Sequence, residues 1–454
     1  MKKVKIVCTL GPACGSREIL AEMVKAGMNV ARLNFSHGSY ESHGKNLENI
    51  RAVEKQLGVP LATVLDTKGP EIRTGTLKEG RPVKLVQGAA FSFVSEEIEG
   101  DEKQVSISHP GICSELEPGQ DVFIDDGTLQ LKVLEVQGTS LLMRVLVGGE
   151  LGERKGVSIP GAKLKIPTLT RKDREDIRWG LDNGLDYIAV SFVRSRDDIM
   201  EVRRVMEELG GAMKIIAKIE TSEAVASLDE IVDVVDGLMV ARGDLGVELP
   251  AEEVPLIQKR MVDLGRSQGK PVIVATQMLD SMIRNPRPTR AEVNDVANAV
   301  LDGADAVMLS GETAKGTYPV QAVETMARII TRTEREIRVW QRPSSLPPVA
   351  SQTVPDAVSH AAVTIAEQMQ AKVILSLTQS GSTARMVSKY RPGCPIAGVT
   401  VEPGTWRELA LVWGGAPLLT GKKHEDEQEM VESGLLATLA EGLAAEGDIV
   451  VVTS

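Results

Sequence analysis

Cysteine, histidine and aromatic residues are scarce in this sequence of 454 residues. It has four cysteines and five histidines, and aromatic residues make up 3% of the chain. Because no two cysteines form a C-x-x-C pair, a disulfide framework or a thiolate metal site is not expected, and a reducing cytoplasm is favoured. So few histidines disfavour chemistry that needs several histidine ligands. The cysteines are Cys8, Cys14, Cys113 and Cys394.

Long hydrophobic runs are also missing. No run of about 18 apolar residues occurs, and the basic start lacks the apolar segment of a signal peptide, so we expect no membrane span and no export. The net charge of −11 argues against nucleic acid or an anionic membrane as a main partner. Neither a P-loop pattern nor a Rossmann G-x-G-x-x-G opens a helix, so any nucleotide is held in another way.

Short apolar strands do alternate with amphipathic helices along most of the chain. Eight buried strands joined by helices are typical of a parallel (β/α)8 TIM barrel, which makes the fold class α/β. An open doubly wound sheet is the alternative. The predicted strands are residues 4–10, 29–34, 61–66, 187–192, 214–220, 238–244, 271–277 and 306–310.

Two stretches interrupt or follow this alternation. Between the third and fourth strands, short β runs such as AFSFV and LQLKVLEV are divided by glycine, proline and aspartate, which predicts an inserted all-β domain. Such an insertion is either a lid over the barrel or a passive addition. After Arg342, a linker rich in proline and serine leads to a C-terminal open α/β domain. The predicted domains are 1–69 with 168–343 (catalytic barrel), 70–167 (β-barrel lid) and 344–454 (regulatory).

Polar side chains gather where the predicted barrel strands end. Lys218 and Glu220 lie two residues apart and therefore share a strand face, and Arg242 and Asp244 repeat this pattern. These are either structural ion pairs or a site where an anionic substrate meets a hard cation. Since barrel active sites form at the carboxyl ends of strands, we favour a site. Other polar residues at these ends are Arg32, Asn34, Ser36, Asp66, Thr67, Lys68, Ser191, Thr276, Gln277, Ser310 and Glu312.

These residue types suit a phosphorylated substrate. Glu220 and Asp244 offer the hard oxygen ligands that Mg²⁺ or Mn²⁺ prefers. Arg32, Arg73 and Lys218 can neutralise phosphate oxygens. A mixture of neutral oxygens and one carboxylate, which suits a monovalent cation, is supplied by Asn34, Ser36, Asp66 and Thr67.

Seven longer motifs are more specific than any single residue. They are VARLNFSHG (30–38), LDTKGPEIRTG (65–75), IIAKIET (215–221), MVARGDLGVE (239–248), ATQMLDSM (275–282), NPRPTRAEVNDVANAVLDGADAVMLSGETAKGTYP (285–319) and TQSGSTARMVSKYRP (378–392). Together they make the chain resemble the pyruvate kinase family. The resemblance implies a barrel with an inserted β domain and a C-terminal α/β domain. It also implies phosphoryl transfer from phosphoenolpyruvate to ADP, yielding pyruvate and ATP as the last step of glycolysis, in a cytoplasmic homotetramer.

The resemblance implies roles for individual residues. Lys218, Arg32 and Thr276 would be catalytic, with Lys218 stabilising charge on the transferring phosphoryl group. Glu220 and Asp244 would hold Mg²⁺. Substrate would be bound by Arg32, Lys218, Gly243, Asp244 and Thr276. Potassium would be held by Asn34, Ser36, Asp66 and Thr67. Nucleotide would be bound by Asn34, Phe35, Ser36, His37, Arg73 and Lys155, although Arg154 competes with Lys155 for that role.

Three further points follow from the resemblance. Glu71 with Thr74 implies dependence on K⁺. The proton donor to the enolate stays open, with a Thr276–water–Ser310–Glu312 relay as one option. A phosphorylated effector would bind a loop at a helix start, formed by Thr378, Ser380, Gly381, Ser382 and Thr383.

The end of the chain departs from the family pattern. Family members usually continue past this point with a glycine-rich loop and one more strand, so we expect a truncated C-terminal domain. Fructose 1,6-bisphosphate, a sugar monophosphate and AMP are all open as effectors. Two rival functions are a metal-dependent lyase or aldolase on the same barrel, and a silent phosphometabolite sensor.

Overall fold

The structure is a computed structural model that describes residues 2–162, 164–340, 353–421 and 427–454. Most of the predicted linker after Arg342, up to residue 352, lies outside the described residues. The chain begins with β1 (Lys5–Thr9), α1 (Arg17–Ala26), β2 (Val30–Asn34), α2 (Tyr40–Leu57) and β3 (Ala62–Asp66).

A β-rich segment then follows, as predicted. It contains a short 3₁₀ turn (Lys78–Gly80), then β4 (Val83–Leu85), β5 (Ala90–Val94), β6 (Gln104–Ser106), α3 (Ile112–Glu115), β7 (Asp121–Ile124), β8 (Leu129–Gln137), β9 (Ser140–Val147), β10 (Gly149–Leu151) and β11 (Val157–Ser158). The expected β-barrel is replaced by a six-stranded sheet, ordered β11-β7-β8-β9-β5-β6, and a two-stranded sheet of β10 and β4. In the described residues β6 and β11 stay unjoined at opposite edges of the larger sheet, so it does not close.

The chain then returns to the parallel strands and their helices. These are α4 (Arg171–Asp182), β12 (Tyr187–Val190), α5 (Arg196–Glu208), β13 (Lys214–Ile219), α6 (Ser222–Ala226), α7 (Leu228–Val234), β14 (Gly237–Ala241), α8 (Arg242–Glu248), α9 (Val254–Ser267), β15 (Val272–Ala275), a 3₁₀ turn (Asp280–Ile283), α10 (Arg290–Asp302), β16 (Ala306–Leu309), α11 (Gly311–Ala314) and α12 (Pro319–Trp340). Eight strands close into the predicted parallel barrel in the order β1-β16-β15-β14-β13-β12-β3-β2.

Two predicted strands end earlier than the sequence pattern suggested. β14 stops at Ala241, and Arg242 and Asp244 belong to the first turn of α8, so they are not a second same-face pair at a strand end. β15 stops at Ala275 because Thr276 has a φ of 69°, outside the strand region. Backbone turns, which side-chain alternation does not reveal, therefore place these polar residues.

The C-terminal segment is an open α/β unit, as predicted. Its elements are α13 (Val354–Gln368), β17 (Val373–Leu377), α14 (Ser382–Lys389), β18 (Ile396–Thr400), α15 (Pro403–Glu408), a 3₁₀ turn (Leu409–Leu411), β19 (Gly415–Leu419), α16 (Glu427–Ala440) and β20 (Val450–Thr453). The four strands are parallel and ordered β19-β18-β17-β20. The domain limits set from the sequence stay a prediction. No helix in the described part of the chain is both long and apolar enough to cross a bilayer.

The C-terminal unit packs against the end of the barrel where the strands begin. Ala410 and Leu411 join the apolar cluster that fills the barrel interior. The Tyr187 hydroxyl donates to the carbonyl of Glu408 over 2.8 Å. The Lys5 ammonium donates to the carbonyl of Gly415 over 2.7 Å. The chain leaves the barrel for the inserted domain after the carboxyl end of β3 and returns before α4, so that domain lies at the carboxyl ends of the strands.

One buried carboxylate joins the two units. The Asp186 side chain accepts from the backbone N–H of Thr63 (2.8 Å) and the Thr63 hydroxyl (2.7 Å), and it also accepts from Nε of Arg407 (2.8 Å). Asp186 is 5% exposed. A buried charge that loses a partner is costly, so this contact is expected to contribute to stability.

We predict that Arg407→Ala lowers the free energy of unfolding by about 3 kcal/mol, because it removes one partner of a buried carboxylate. Arg171→Ala is the matched control, since Arg171 and Glu175 form an exposed ion pair worth less than about 1 kcal/mol. Thermal and urea unfolding of both variants, followed by circular dichroism, measure the difference. Equal losses in the two variants would show that the Asp186 contact is energetically unimportant.

Candidate active site

Lys218 lies at the centre of a charged cluster at the carboxyl end of the barrel. Its ammonium is 2.7 Å from the Ser191 hydroxyl, 2.8 Å from a Glu220 oxygen and 3.2 Å from an Asp66 oxygen. Burial acts to lower the pKa of Lys218, but the Asp66 and Glu220 carboxylates outweigh it and raise the pKa above its usual range. Lys218 is therefore a fixed cation at neutral pH.

Asp66 links Lys218 to the second buried cation, Arg32. Nε of Arg32 donates to Asp66 over 2.6 Å, and Nη1 of Arg32 donates to the Thr9 hydroxyl over 2.8 Å. Burial acts to raise the pKa of Asp66, yet Arg32 and Lys218 together hold it below its usual value. Strand pairing explains the proximity, since β2 and β3 run in register with Asn34 opposite Asp66.

Glu220 and Asp244 are the predicted ligands of a divalent cation. Glu220 is 1% exposed, and its second oxygen accepts from the backbone N–H of Phe192 over 2.7 Å. Asp244 remains open to solvent, although protein surrounds most of the carboxylate. That burial and the nearby Glu220 charge raise the pKa of Asp244 to about 7. A cation between the two carboxylates would relieve this repulsion, so the pair fits Mg²⁺ or Mn²⁺.

The pair is too small to satisfy such an ion alone. Within the described ranges, no group of three or more histidine, cysteine, aspartate or glutamate side chains is arranged to hold a metal. Mg²⁺ commonly takes one or two protein carboxylates and completes its octahedron with water and substrate oxygens. The geometry therefore suits an ion whose remaining ligands come from a bound anion.

Thr276 and Gly243 meet at the same end of the barrel. The backbone N–H of Gly243 donates to the Thr276 hydroxyl over 2.9 Å, and that hydroxyl donates to the Ala275 carbonyl over 2.6 Å. Thr276 has a φ of 69° and Gln277 a φ of 55°. Left-handed backbone is unusual for a β-branched residue and clusters at functional sites. This turn brings the first turn of α8 and the end of β15 together.

The predicted potassium ligands lie together at the ends of β2 and β3. The Asn34 side-chain oxygen accepts from the backbone N–H of Ser36 over 3.1 Å. The Thr67 hydroxyl accepts from the backbone N–H of Ser191 over 3.1 Å. Both oxygens of Asp66 already contact cations, so a monovalent ion there would depend mainly on neutral oxygens. The potassium site stays a prediction.

The predicted nucleotide-binding residues are divided between barrel and inserted domain. The Phe35 side chain is 2% exposed and stacks on His43 with ring centroids 4.2 Å apart, so only its backbone is available to a ligand. His37 is exposed. Arg73 lies 2.8 Å from a Glu71 oxygen, and the Lys155 ammonium lies 3.0 Å from an Asp125 oxygen. A nucleotide would have to compete with these carboxylates.

A cleft of about 120 Å³ separates the inserted domain from the barrel. Both connecting segments line it, through Pro70 and Ile72 on one side and Ile166 on the other, and Glu220 and Asp244 lie in its wall. A movement of the inserted domain about these connections would therefore change access to the carboxylate pair. This position agrees better with a lid than with a passive insertion.

The roles of two predicted features, the proton relay through Glu312 and the effector loop, are not tested by the structure. Glu312 is buried, which raises its pKa, and its oxygens accept from the backbone N–H groups of Leu279 (3.0 Å) and Ser310 (2.7 Å). The relay to Thr276 stays a prediction. In the effector loop, Gly381 has a φ of 76°, and Nη1 of Arg385 donates to the Ser380 carbonyl over 3.2 Å. Effector binding there also stays a prediction.

Sequence reasoning gave no role to one central residue and missed one partner. Ser191 was noted as a polar strand end, but its hydrogen bonds to Lys218 and to the Thr67 carbonyl (2.6 Å) place it inside the cluster. Asp295, on α10, contacts Arg242 through two hydrogen bonds of 2.6 and 2.7 Å. The SF pair after β12 was a usable signal for Ser191, whereas nothing in the helical pattern of α10 indicated Asp295.

Comparison with known proteins agrees with this geometry. Residues 1–323 match the family model for the pyruvate kinase barrel domain, and residues 356–454 match the model for the pyruvate kinase alpha/beta domain. A pyruvate kinase of Geobacillus stearothermophilus is 46% identical over 456 residues, covering all of this chain and 77% of that protein. One from Clostridium acetobutylicum is 42% identical, covering all of this chain and 96% of that protein.

A solved structure is similar over the whole chain. The crystal structure of a pyruvate kinase from Cryptosporidium parvum has a TM-score of 0.94 and 40% sequence identity, and the match covers 100% of this chain and 94% of the other. Two family models in the expected order, full-length relatives and a full-length structural match all agree. The chain therefore belongs to the pyruvate kinase family and is a phosphotransferase enzyme of that family.

Proposed function

We propose that the chain transfers the phosphoryl group of phosphoenolpyruvate to ADP, yielding pyruvate and ATP as the last step of glycolysis in the cytoplasm. The observation that supports this most directly is the position of Lys218, a buried cation between Asp66 and Glu220 and beside Asp244. The cluster contains two cations, Lys218 and Arg32, and the three carboxylates of Asp66, Glu220 and Asp244. A divalent ion would give the cluster a net positive charge, which attracts a highly charged anion.

The chain's own residues then bind and orient the substrate. Lys218 and Arg32 contact the phosphoryl oxygens, and their charges stabilise the group as it leaves one oxygen and joins another. The Gly243 N–H and the Thr276 hydroxyl hold the substrate carboxylate once they give up their present hydrogen bonds to the Thr276 oxygen and to the Ala275 carbonyl. A Mg²⁺ ion held by Glu220 and Asp244 supplies Lewis-acid stabilisation of the substrate oxygens when bound. Closure of the inserted domain excludes water, which would otherwise accept the phosphoryl group.

The reaction balances with one proton. The bond between phosphorus and the enol oxygen breaks, and a terminal oxygen of ADP forms the new bond to phosphorus. The enolate that remains takes one proton on its methylene carbon and becomes pyruvate. Arg73 and Lys155, in the inserted domain, orient the ADP phosphates. To do so, Arg73 exchanges its contact with Glu71, and Lys155 its contact with Asp125, for contacts with phosphate oxygens. Asn34 and His37 approach the nucleotide from the barrel.

We predict that Lys218→Met reduces kcat for phosphoryl transfer on the order of a thousandfold, because it removes a preorganised cation from the developing charge. Exchange of pyruvate methyl hydrogens with solvent, followed by NMR in D₂O, should be largely retained, since the proposal assigns Lys218 to the phosphoryl group and not to the proton. Lys78→Met, which removes a surface cation paired with Asp101, is the control and should match the unaltered chain. Equal loss of both reactions in Lys218→Met, in a folded protein, would refute this role.

The wider assignment has its own test. Pyruvate formation from phosphoenolpyruvate is measured with and without ADP and with Mg²⁺ chelated. A chain that forms pyruvate without ADP would transfer the phosphoryl group to water and be a phosphatase. A lyase or a sensor would form no pyruvate from phosphoenolpyruvate. Only ADP- and Mg²⁺-dependent pyruvate agrees with the proposal.

We predict that activity depends on K⁺, with a rise of about tenfold or more when K⁺ is added to a buffer of Mg²⁺ and a bulky organic cation. A monovalent cation near Asn34 and Thr67 would offset the carboxylates around the substrate. In Glu71→Lys, a tethered ammonium in the cleft that Glu71 lines together with Asp244 should reduce the response to K⁺. Full activity of the unaltered chain without K⁺ or Na⁺ would contradict the prediction.

A homotetramer is also proposed, and an exposed apolar stripe on α13 supports contact between copies. Val354, Val358, Ile365 and Met369 lie four, seven and four residues apart and are 45–76% exposed, so they share one helix face. Large exposed apolar stripes are typical of interaction surfaces. Since the same stripe occurs on every copy, two copies can cover each other's stripe about a two-fold axis.

We predict that Ile365→Lys shifts the chain to a smaller oligomer, because it places a charge in the middle of this stripe. Light scattering coupled to size-exclusion chromatography at micromolar protein measures the change. Val86→Lys, a similar substitution at an exposed residue of the inserted domain, should leave the mass unaltered. A monomeric unaltered chain would contradict the tetramer.

A further inference from the structure

Arg242 makes an unusual set of contacts beside the proposed substrate site. Two of its guanidinium nitrogens bond the two oxygens of Asp295 over 2.6 and 2.7 Å. Nη2 also donates to the Thr276 carbonyl over 2.7 Å, and Nε donates to the Ala275 carbonyl over 3.2 Å. One planar cation therefore joins the first turn of α8, the end of β15 and α10.

The two carbonyls belong to the left-handed turn described above. Thr276 and Gln277 have consecutive positive φ values, and such strained backbone persists only where its surroundings hold it in place. Ala275 is the last residue of β15, and its carbonyl also accepts from the Thr276 hydroxyl, whereas the Thr276 carbonyl lies beyond the strand and needs another donor. Arg242 donates to both carbonyls, so its side chain helps to hold the turn.

The same turn places the groups assigned to substrate binding. The Thr276 hydroxyl accepts the Gly243 N–H, and Gly243 directly follows Arg242 in the chain. A shift of the guanidinium would therefore move Thr276 and the start of α8 relative to each other. Asp295 fixes the guanidinium in plane through its two-point contact, which a lysine at residue 242 cannot reproduce.

We propose that the Arg242–Asp295 pair positions the Thr276 turn for the reaction. Neither side chain is assigned a contact with substrate; Arg242 acts through the Thr276 and Ala275 carbonyls, and Asp295 acts through Arg242. The inference rests on the proposed function because Thr276 and Gly243 are taken to hold the substrate carboxylate. It extends the active site to α10, a helix outside the ring of strand ends.

The test compares this pair with a matched pair at the opposite end of the barrel. Nη2 of Arg203 also bonds a carbonyl, that of Val234 (2.6 Å), and a carboxylate, that of Asp236 (3.3 Å), where β13 and β14 begin. Arg242→Lys and Asp295→Asn should each lower kcat/KM for phosphoenolpyruvate about tenfold to a hundredfold. KM for ADP should stay unaltered. Arg203→Lys and Asp236→Asn should lower Tm by a comparable amount but leave kcat/KM for phosphoenolpyruvate and KM for ADP unaltered.

Chemical rescue and hydrogen exchange separate positioning from stability. Millimolar guanidinium added to Arg242→Ala should restore part of the lost kcat, whereas it should not change Arg203→Ala. Arg242→Lys should also slow the exchange of pyruvate methyl hydrogens, because Thr276 moves, while Lys218→Met spares that exchange. If kcat/KM falls no more in Arg242→Lys than in Arg203→Lys, or guanidinium fails to rescue a folded Arg242→Ala, the inference is wrong. Absence of activity in the unaltered chain would instead overturn the proposed function.

Discussion

The active end of this barrel depends on one ammonium group shared by two buried carboxylates. Lys218 on β13 lies within 3.2 Å of Asp66 on β3 and of Glu220 immediately after β13. Buried charges are tolerated only when they are paired and hydrogen-bonded, and here each partner has further donors: Arg32 for Asp66 and the Phe192 N–H for Glu220. The cluster thus stabilises its own charges while keeping a cation near the cleft.

The two ends of the barrel differ in what they contact. At the amino ends, Asp186 and Tyr187 bond the C-terminal unit, and apolar side chains of that unit complete the barrel interior. At the carboxyl ends, the connections to the inserted domain border an open cleft. With contacts at the amino ends and a cleft at the carboxyl ends, a lid movement of the inserted domain would leave the strands that hold the site undisturbed.

Periodicity and composition predicted the fold well, and the site only in part. Eight apolar runs separated by amphipathic helices were sufficient for the barrel, because strand burial on both faces is visible in sequence. Alternation also predicted that Lys218 and Glu220 share a face. It was wrong for Arg242 and Asp244, since α8 begins at residue 242 directly after β14. The side-chain period changes there from 2 residues to 3.6 residues, and three residues are too few to show the change in sequence. Most of the residue roles were available only through the resemblance.

Backbone strain and electrostatic repulsion are two features of the site that sequence reasoning could not supply. Thr276 and Gln277 occupy left-handed conformations at a cost of about 1–3 kcal/mol each. Burial and the nearby Glu220 charge raise the pKa of Asp244 to about 7. Neither arrangement stabilises the fold by itself. In the proposed reaction both would serve binding, because a divalent ion would relieve the repulsion and the substrate would take over hydrogen bonds that the Gly243 N–H and the Thr276 hydroxyl now make within the turn. The barrel therefore stores unfavourable energy where binding can release it.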